Sequence, residues 1–317
     1  MPIKPGRLNY GDTLGIVAPA SAPPDPRAIA YAVAEIEKLG FKVKLARNVR
    51  NRLGFLAGTD RERASDLMSM FTDRRVSGIL CVRGGYGTAR LVPLLDYRLI
   101  RSNAKVFVGY SDITSLHFAF LKKANLVSFH GPMLNSDFVR EKFPRFTLES
   151  FLRTLMNPSP PGSILKGYKQ KTVKILRHGK ASGQLLGGNL SLICTTVGTP
   201  CRPSFRNKIL FLEDLDEPPY RFDRMLTHLL NAGLLQQVAG VAIGINQNCE
   251  DPKRKGSKEY RQTLEDVLKD RLGPLKIPIV SGLPFGHIPF NATLPIGTRA
   301  TLDANRGDLI LEEASVR

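Results

Sequence analysis

Residues 106–112 have the sequence Val-Phe-Val-Gly-Tyr-Ser-Asp, in which an apolar run leads directly into a serine. The segment that follows, about residues 112–123, has helical periodicity. A buried strand that turns sharply into a helix exposes the turn residue, and the first N–H groups of the helix can hold an oxyanion. Ser111 is therefore a candidate nucleophile. Nucleophile turns of this type commonly have a second glycine where this chain has Ile113, so a serine that merely caps a helix is the alternative.

On both sides of this segment, short apolar runs alternate with helical periodicity, a pattern that predicts a parallel sheet. The predicted strands are residues 14–18, 41–45, 79–82, 106–108 and 126–129, and the predicted helices are about 26–39, 60–74, 87–95 and 112–123. Thr59 and Glu62 have the spacing of a capping box at the second helix. Since ligands bind beyond the carboxyl ends of such strands, the turns at 83–87 and 109–112 should be neighbours.

The pattern changes after the first 140 residues. Proline and glycine are frequent in residues 141–168, which predicts a linker. We therefore expect an N-terminal α/β domain at 1–140 and a smaller, β-rich α+β domain at 169–317. The elements predicted for the second domain are strands at 209–212 and 238–245, helices at about 219–232 and 257–271, and turn-separated strands within 279–311.

Composition limits the class of protein. The 317 residues are 42% hydrophobic and 23% charged, which is typical of a soluble globular chain. Apolar runs stay well below the roughly 18 residues that a membrane helix needs, and the N-terminus is polar, so we expect a cytoplasmic protein without membrane contact. The four cysteines lack CxxC spacing, so we expect neither a metal site nor disulfides.

The net charge of +18 raises the question of nucleic-acid binding. The basic residues are scattered, however, and the dense run at 253–255, with Lys258 and Arg261 nearby, is typical of a solvated loop. No RNA-binding aromatic pattern, zinc finger or recognition helix accompanies it. We therefore expect no nucleic-acid partner and interpret the charge as an attraction for anionic substrates.

A serine nucleophile needs a base, and the chain has five histidines. His287 follows a glycine- and proline-containing loop that could aim its ring outward, and His130 ends a strand at the same predicted edge and competes with it. A carboxylate that orients the base is the third requirement. Glu213 follows an apolar run directly and is the best candidate, although an acidic loop explains it equally well. The glycine turn Gly84-Gly85-Tyr86-Gly87 could supply a second oxyanion donor.

Several motifs occur in a fixed order along the whole chain. They are Gly11-Asp12-Thr13, Ala18-Pro19-Ala20-Ser21, Arg83-Gly84-Gly85-Tyr86-Gly87, Gly109-Tyr110-Ser111-Asp112, His130-Gly131-Pro132, Gly187-Gly188-Asn189-Leu190, Leu212-Glu213-Asp214 and Gly286-His287. This set resembles the muramoyltetrapeptide LD-carboxypeptidase family of serine peptidases, over about residues 6–311. The resemblance implies a flavodoxin-like or amidotransferase-like N-terminal sheet and a small β-rich C-terminal domain.

The same resemblance implies roles for individual residues. Ser111 would be the nucleophile, His287 the general base and Glu213 its orienting residue, while the N–H groups of Gly85 and Asp112 would form the oxyanion hole. His130 would then be structural. The implied reaction releases D-alanine from a murein tetrapeptide without metal or cofactor, in a homodimer.

Three further interpretations stay open. Arg83, beside the glycine turn, could contact the terminal carboxylate of the substrate, or it could form a structural salt bridge. Related immunity peptidases cleave peptidyl-nucleotide antibiotics of the microcin C kind and tend to use tryptophan to stack the base, whereas this chain has no tryptophan. A non-catalytic module that binds an anionic polymer is the alternative from another class.

Overall fold

The computed structural model describes residues 1–139, 143–250 and 262–317. Its first sheet is built mainly from strands of the N-terminal half. Their bounds are β1 (Thr13–Val17), β2 (Lys42–Leu45), β3 (Val76–Cys81), β4 (Val106–Gly109) and β5 (Ser128–His130). They lie in the order β5-β4-β3-β1-β2 with all neighbours parallel, so the predicted parallel sheet is confirmed.

Four helices connect or follow these strands. They are α1 (Arg27–Lys38), α2 (Asp60–Thr72), α3 (Tyr97–Ser102) and α4 (Thr114–Ala119). Helix α1 buries Ile29, Ala32 and Ile36, whose spacing places them on one face. At the start of α2, Thr59 Oγ1 accepts the N–H of Glu62 at 3.2 Å and the Glu62 carboxylate accepts the N–H of Thr59 at 2.7 Å. The predicted capping box is therefore confirmed.

The predicted continuous helix at 87–95 is wrong. That segment forms two short 3₁₀ turns, Thr88–Arg90 and Val92–Leu94. Gly87 has a φ of 124°, which is outside the helical region, and the ring of Pro93 prevents a regular α-helical hydrogen bond there. The predicted helix at 112–123 forms, but in three pieces: the 3₁₀ turn Ser111–Ile113, α4, and a π-helical turn at Phe120–Ala124.

The second half contains a helix within the predicted linker and a larger sheet. The helix is α5 (Arg145–Met156), and its Phe151 and Leu155 are buried against the first core. The strands are β6 (Gly162–Ser163), β7 (Lys174–Arg177), β8 (Lys180–Asn189), β9 (Lys208–Glu213), β10 (Gly240–Gly244), β11 (Ile279–Leu283), β12 (Leu294–Ile296), β13 (Arg299–Asp303) and β14 (Asp308–Leu311).

Eight of these strands form the second sheet, in the order β6-β14-β13-β8-β9-β10-β11-β7. The central strands β8 to β11 are parallel and the outer ones are antiparallel. The accompanying helices are α6 (Leu190–Thr195), α7 (Pro219–Asn231) and α8 (Leu264–Leu272). Residues 251–261, which include the start of the predicted helix at 257–271, the basic run at 253–255, Lys258 and Arg261, lie outside the described residues.

The two sheets have separate hydrophobic cores, which confirms the predicted α/β fold class with two sheets. We call each sheet with its core a lobe, N-terminal and C-terminal. The chain returns to the N-terminal lobe near its end, because β12 pairs antiparallel with β5 and Val316 is buried in the first core. In the described part of the chain, we find no helix with the length and apolar content needed to cross a bilayer.

Candidate active site

Two turns meet at the carboxyl edge of the N-terminal sheet. Strands β3 and β4 are paired neighbours, and the glycine turn follows β3 while the serine turn follows β4. A Cβ atom at Gly84 would lie 2.8 Å from Cβ and 2.9 Å from Oγ of Ser111. The predicted proximity of the two turns is therefore confirmed. Position 84 must be glycine for the two turns to approach this closely.

Ser111 lies at the sharp turn itself. Its φ of 63° is in the left-handed region, which a residue with a Cβ rarely adopts, whereas Tyr110 before it is extended. This backbone strain is common at functional sites and resembles the nucleophile turn of hydrolases, even though Ile113 replaces the second glycine. The Ser111 side chain is half-buried and lines a cleft.

Asp112 holds this turn in place. Its Oδ2 accepts the N–H of Thr88 at 2.8 Å, and its backbone oxygen accepts the Thr88 hydroxyl at 2.5 Å. Burial raises the pKa of the Asp112 carboxyl, although these hydrogen bonds favour its charged form. The Asp112 side chain therefore has a structural role. The backbone nitrogen of Asp112 faces the glycine turn, because it lies 3.3 Å from the position that a Cβ atom at Gly84 would take.

The glycine turn is supported by Ser21 from the Ala-Pro-Ala-Ser motif. The Ser21 hydroxyl accepts the N–H of Tyr86 at 3.1 Å, and the Ser21 N–H is donated to the carbonyl of Gly84 at 3.3 Å. Gly85 has a φ of 110°, and a Cβ there would lie 2.4 Å from Ser21 Oγ. Glycine is therefore required at position 85, and it leaves the backbone open toward the cleft.

Glu213 and His287 come together from the C-terminal lobe. Glu213 is the last residue of β9, and His287 lies in the loop after β11; Nδ1 of His287 is 2.7 Å from Oε2 of Glu213. Gly286 has a φ of 117°, and a Cβ there would lie 3.1 Å from Glu213 Cβ. The Gly286 N–H is donated to Asn291 Oδ1 at 3.2 Å, which fixes the loop that carries the imidazole.

Glu213 and His287 each favour the charged form of the other. Burial is the largest single effect on Glu213 and opposes its ionisation, but His287, together with His130 and Asn189, lowers the pKa of Glu213 overall. Burial is likewise the largest effect on His287 and opposes its protonation, but Glu213, together with Asp214 and Asp137, raises the pKa of His287 overall. An ionised carboxylate can only accept, so Nδ1 of His287 carries the proton of this hydrogen bond and Nε2 is the nitrogen available as a base.

A cleft of about 290 Å³ joins the two lobes. It is lined by Arg83, Gly84, Gly85, Tyr110, Ser111, Met133, Ser136, Asn189, Ser191, Leu192, Asp214, Leu215, Glu217 and His287. The rings of Tyr110 and His287 meet edge to face with centroids 5.0 Å apart, which brings the imidazole beside the serine turn. Four of the six predicted site residues thus line one cleft, while Glu213 and Asp112 are buried behind it.

The other four histidines lie elsewhere. His117 is buried, with Nδ1 2.8 Å from Ser128 Oγ and Nε2 2.8 Å from the Gly109 carbonyl. His130 is also buried, and burial lowers its pKa to about 4. His178 and His228 are exposed. None of the four lines the cleft, so His130 does not compete with His287 for the position of a base.

Sequence reasoning singled out Asn189 only as part of a motif and left Glu217 and Ser191 without a role. Asn189 donates its amide to Asp214 Oδ1 at 2.8 Å and its N–H to Thr114 Oγ1 at 3.0 Å, which ties the two lobes together. Its position at the end of a parallel strand was the sequence feature that could have indicated a place in the site.

Within the described ranges, no group of three or more His, Cys, Asp or Glu side chains is arranged to hold a metal ion.

Comparisons with known proteins show the family of this chain. Residues 14–131 match the model of the LD-carboxypeptidase N-terminal domain, and residues 182–302 match that of the LD-carboxypeptidase C-terminal domain. The chain is 40% identical to a probable murein peptide carboxypeptidase of Bacillus subtilis, over 98% of this chain and 94% of that protein.

Solved structures give the same result. A muramoyltetrapeptide carboxypeptidase from Oxalobacter formigenes is 32% identical, with a TM-score of 0.82 over 95% of this chain and 99% of that one. A microcin C7 self-immunity protein is 25% identical, with a TM-score of 0.89 over the full length of both chains. The chain belongs to the LD-carboxypeptidase family.

Proposed function

We propose that this protein is a serine carboxypeptidase that releases the terminal D-alanine of a murein tetrapeptide by hydrolysing the bond to the L-centre of a diamino acid. One observation carries the proposal: the Glu213–His287 pair and the strained Ser111 turn line or support the same cleft although they come from different lobes. Both the Bacillus and the Oxalobacter relatives are named as carboxypeptidases of murein peptides.

In the proposed reaction, Ser111 Oγ attacks the scissile carbonyl while Nε2 of His287 takes the hydroxyl proton. The backbone N–H groups of Gly85 and Asp112 hold the oxyanion of the tetrahedral intermediate. The C–N bond then breaks, and His287 returns the proton to the leaving amine of D-alanine. Water hydrolyses the acyl-enzyme by the same steps in reverse. Glu213 keeps the imidazole in the reactive tautomer and stabilises its charged form.

Arg83 is the proposed contact for the terminal carboxylate of the substrate. Its guanidinium lies in the cleft wall, and Nη1 is 3.4 Å from the carbonyl of Ala22. In the described part of the chain, no carboxylate forms a salt bridge with it. This supports the substrate contact over the structural salt bridge, because a half-buried cation favours an anionic partner.

The test is Ser111→Ala, assayed by D-alanine release from a muramoyl tetrapeptide. We expect turnover to fall about 10⁴- to 10⁶-fold with an unchanged circular dichroism spectrum. Ser65→Ala, on the exposed face of α2, is the matched control and should retain activity. Retained turnover in Ser111→Ala would contradict the proposal, as would salt-sensitive polymer binding with no hydrolysis in the parent protein.

The microcin C7 immunity relative has also been solved in complex with aspartyl sulfamoyl adenosine, so an aminoacyl or peptidyl nucleotide is the second candidate substrate. Incubation of the protein with an aminoacyl-sulfamoyl-adenosine and, separately, with the tetrapeptide distinguishes the two by the product that appears. We propose the tetrapeptide because the chain has no tryptophan to stack a base.

The domain boundaries, the homodimer and the cytoplasmic location stay predictions. The predicted domains are 1–140 and 169–317, joined by a linker at 141–168. Limited proteolysis would test the domain boundaries, sedimentation of the pure protein would test the homodimer, and fractionation of cells would test the location.

A further inference from the structure

The two walls of the cleft carry opposite charges. Arg83 comes from the N-terminal lobe, and Glu217 comes from the loop that follows β9 in the C-terminal lobe. The acidic lining of the second wall consists of Asp214 and Glu217. A ligand that spans the cleft therefore meets a cation on one side and carboxylates on the other.

Of the two carboxylates, Asp214 is already engaged by the protein. Its Oδ1 accepts the amide of Asn189 at 2.8 Å and the N–H of Leu215 at 2.9 Å, and its Oδ2 accepts the N–H of Ser191 at 2.9 Å. Burial raises the pKa of Asp214 to about 6. This side chain shapes the cleft and is unsuited to bind a ligand as well.

Glu217 has fewer and weaker contacts within the protein than Asp214. Among the described residues, its carboxylate forms one ion pair, with Nη1 of Arg221 at 3.4 Å, and the Arg221 side chain is 51% exposed. Exposed pairs of this kind contribute little, so the carboxylate can exchange this partner for another at small cost. Only 21% of the Glu217 side chain is exposed, which strengthens any charged contact it makes in the cleft.

The loop that carries Glu217 is held by hydrogen bonds of the neighbouring residues. The N–H of Asp214 is donated to Asn246 Oδ1 at 2.8 Å, and the N–H of Asp216 is donated to the carbonyl of Gln247 at 3.0 Å. Asn248 donates its amide to Asp216 Oδ1 at 2.9 Å. Two prolines then begin α7. The loop is thus anchored on both sides of Glu217, which limits the positions that its carboxylate can reach.

We propose that Glu217 binds a primary ammonium on the acyl side of the scissile bond and so selects substrates whose penultimate residue has an amino group in its side chain. The inference rests on the proposed function, in which Arg83 holds the carboxylate of the leaving D-alanine. The acyl part then extends toward the opposite wall, where Glu217 lies. A carboxylate here also repels phosphate, which disfavours a peptidyl-phosphonucleotide substrate.

The test compares two tetrapeptides that end in D-alanine and differ in the third residue, lysine or norleucine. Norleucine has the same chain length without the ammonium. We expect the parent protein to cleave the lysine peptide with a kcat/KM roughly tenfold or more above that of the norleucine peptide, mainly through KM. In Glu217→Gln this ratio should fall to about one. Arg221→Gln, which removes only the surface ion pair, should keep the ratio.

Binding of both peptides to Ser111→Ala by calorimetry separates the two proposals. If Ser111→Ala prefers the lysine peptide and Ser111→Ala/Glu217→Gln does not, the role of Glu217 is supported. This conclusion holds even if the parent protein cleaves neither peptide and the proposed function is wrong. A lysine-to-norleucine ratio that is the same with and without Glu217, in cleavage and in binding, overturns the inference.

Discussion

Nδ1 of His287 lies 2.7 Å from Oε2 of Glu213, although 74 residues separate them in the chain. The carboxyl is fully buried at the end of a central strand, whereas the imidazole reaches the cleft from a glycine-hinged loop. This arrangement fixes which nitrogen of His287 can act as a base, and it couples the protonation of His287 to the charge of Glu213.

Glu213→Gln should change both the rate and the pH dependence. Since the imidazole must be neutral to accept the serine proton, kcat/KM of the parent protein should rise with pH through a limb above 6.5, the side to which Glu213 raises the pKa of His287. The variant keeps the burial that lowers this pKa and loses the carboxylate that contributes most to raising it, so the limb should move to lower pH. We expect kcat to fall roughly 10³- to 10⁴-fold.

A pH–rate series on the tetrapeptide measures both effects. Glu37→Gln, which removes an exposed carboxylate on α1, serves as the control and should keep the limb in place. An unmoved limb in Glu213→Gln would show that this carboxylate does not set the protonation of the base.

Gly84→Ala should reduce activity through steric displacement of the nucleophile. The added methyl group would lie 2.8 Å from Ser111 Cβ and 2.9 Å from its hydroxyl, too close for ordinary contact, so the serine turn must move. Because a shift of about 1 Å at a reacting atom can cost roughly 10²-fold, we expect kcat to fall by about that factor.

Gly273→Ala is the matched control for this variant. Its methyl group would meet no atom within 4 Å, and its φ of −54° suits alanine. Equal turnover in the two alanine variants would show that the close approach at Gly84 is not needed for catalysis.

Arg83→Lys should raise KM. An arginine binds a carboxylate through two parallel N–H groups, and a lysine offers a point charge with a shorter reach. We expect KM for the tetrapeptide to rise about tenfold with a smaller change in kcat, which steady-state kinetics would measure. Arg98→Lys, on the exposed face of α3, is the control. An unchanged KM in Arg83→Lys would dismiss the proposed carboxylate contact.

Much of the N-terminal lobe could be predicted because its signals are local. The apolar runs, the capping box at Thr59 and the glycines beside Ser111 each depend on a few adjacent residues. The two turns meet because the carboxyl ends of neighbouring parallel strands share an edge. The prediction of a helix at 87–95 is wrong for an equally local reason, since Pro93 interrupts α-helical hydrogen bonding.

The contact between Glu213 and His287 could not be derived from local sequence. The acidic run at 213–217 offers four carboxylates, and spacing alone does not say which one faces the imidazole. The structure separates them: Glu213 ends a buried strand, Asp214 is held by backbone donors, and Glu217 lines the cleft. In the sequence, the position of Glu213 directly after the apolar run makes it the best candidate, and the family resemblance implies the same residue.

Strand β12 is a second feature beyond the reach of local patterns. It has three residues, one of them Pro295, and it joins the N-terminal sheet beside β5, which lies more than 160 residues earlier. Proline is tolerated there because β12 is an edge strand, so its missing N–H need not pair. Proline normally argues against a strand, which is why the pairing is visible only in three dimensions.

His130 should make the stability of the protein depend on pH. Burial lowers its pKa to about 4, from about 6.5 in the unfolded chain. The unfolded state therefore binds the proton more readily, and the stabilisation that is complete above pH 6.5 is lost as the pH falls toward 4. Between pH 7 and 5 this group alone should cost about 2 kcal/mol of the free energy of unfolding.

His130→Phe isolates this contribution. The ring is packed against Phe211 and Phe285, and neither ring nitrogen has a hydrogen-bond partner among the described residues, so phenylalanine fits the surroundings chemically. Any repacking cost is the same at both pH values and cancels in the difference. Urea unfolding at pH 7 and pH 5 should therefore show a smaller loss of stability in the variant than in the parent protein. His178→Phe changes an exposed ring and should leave the loss unchanged. An equal loss in His130→Phe and the parent protein would mean that His130 does not titrate as its burial requires.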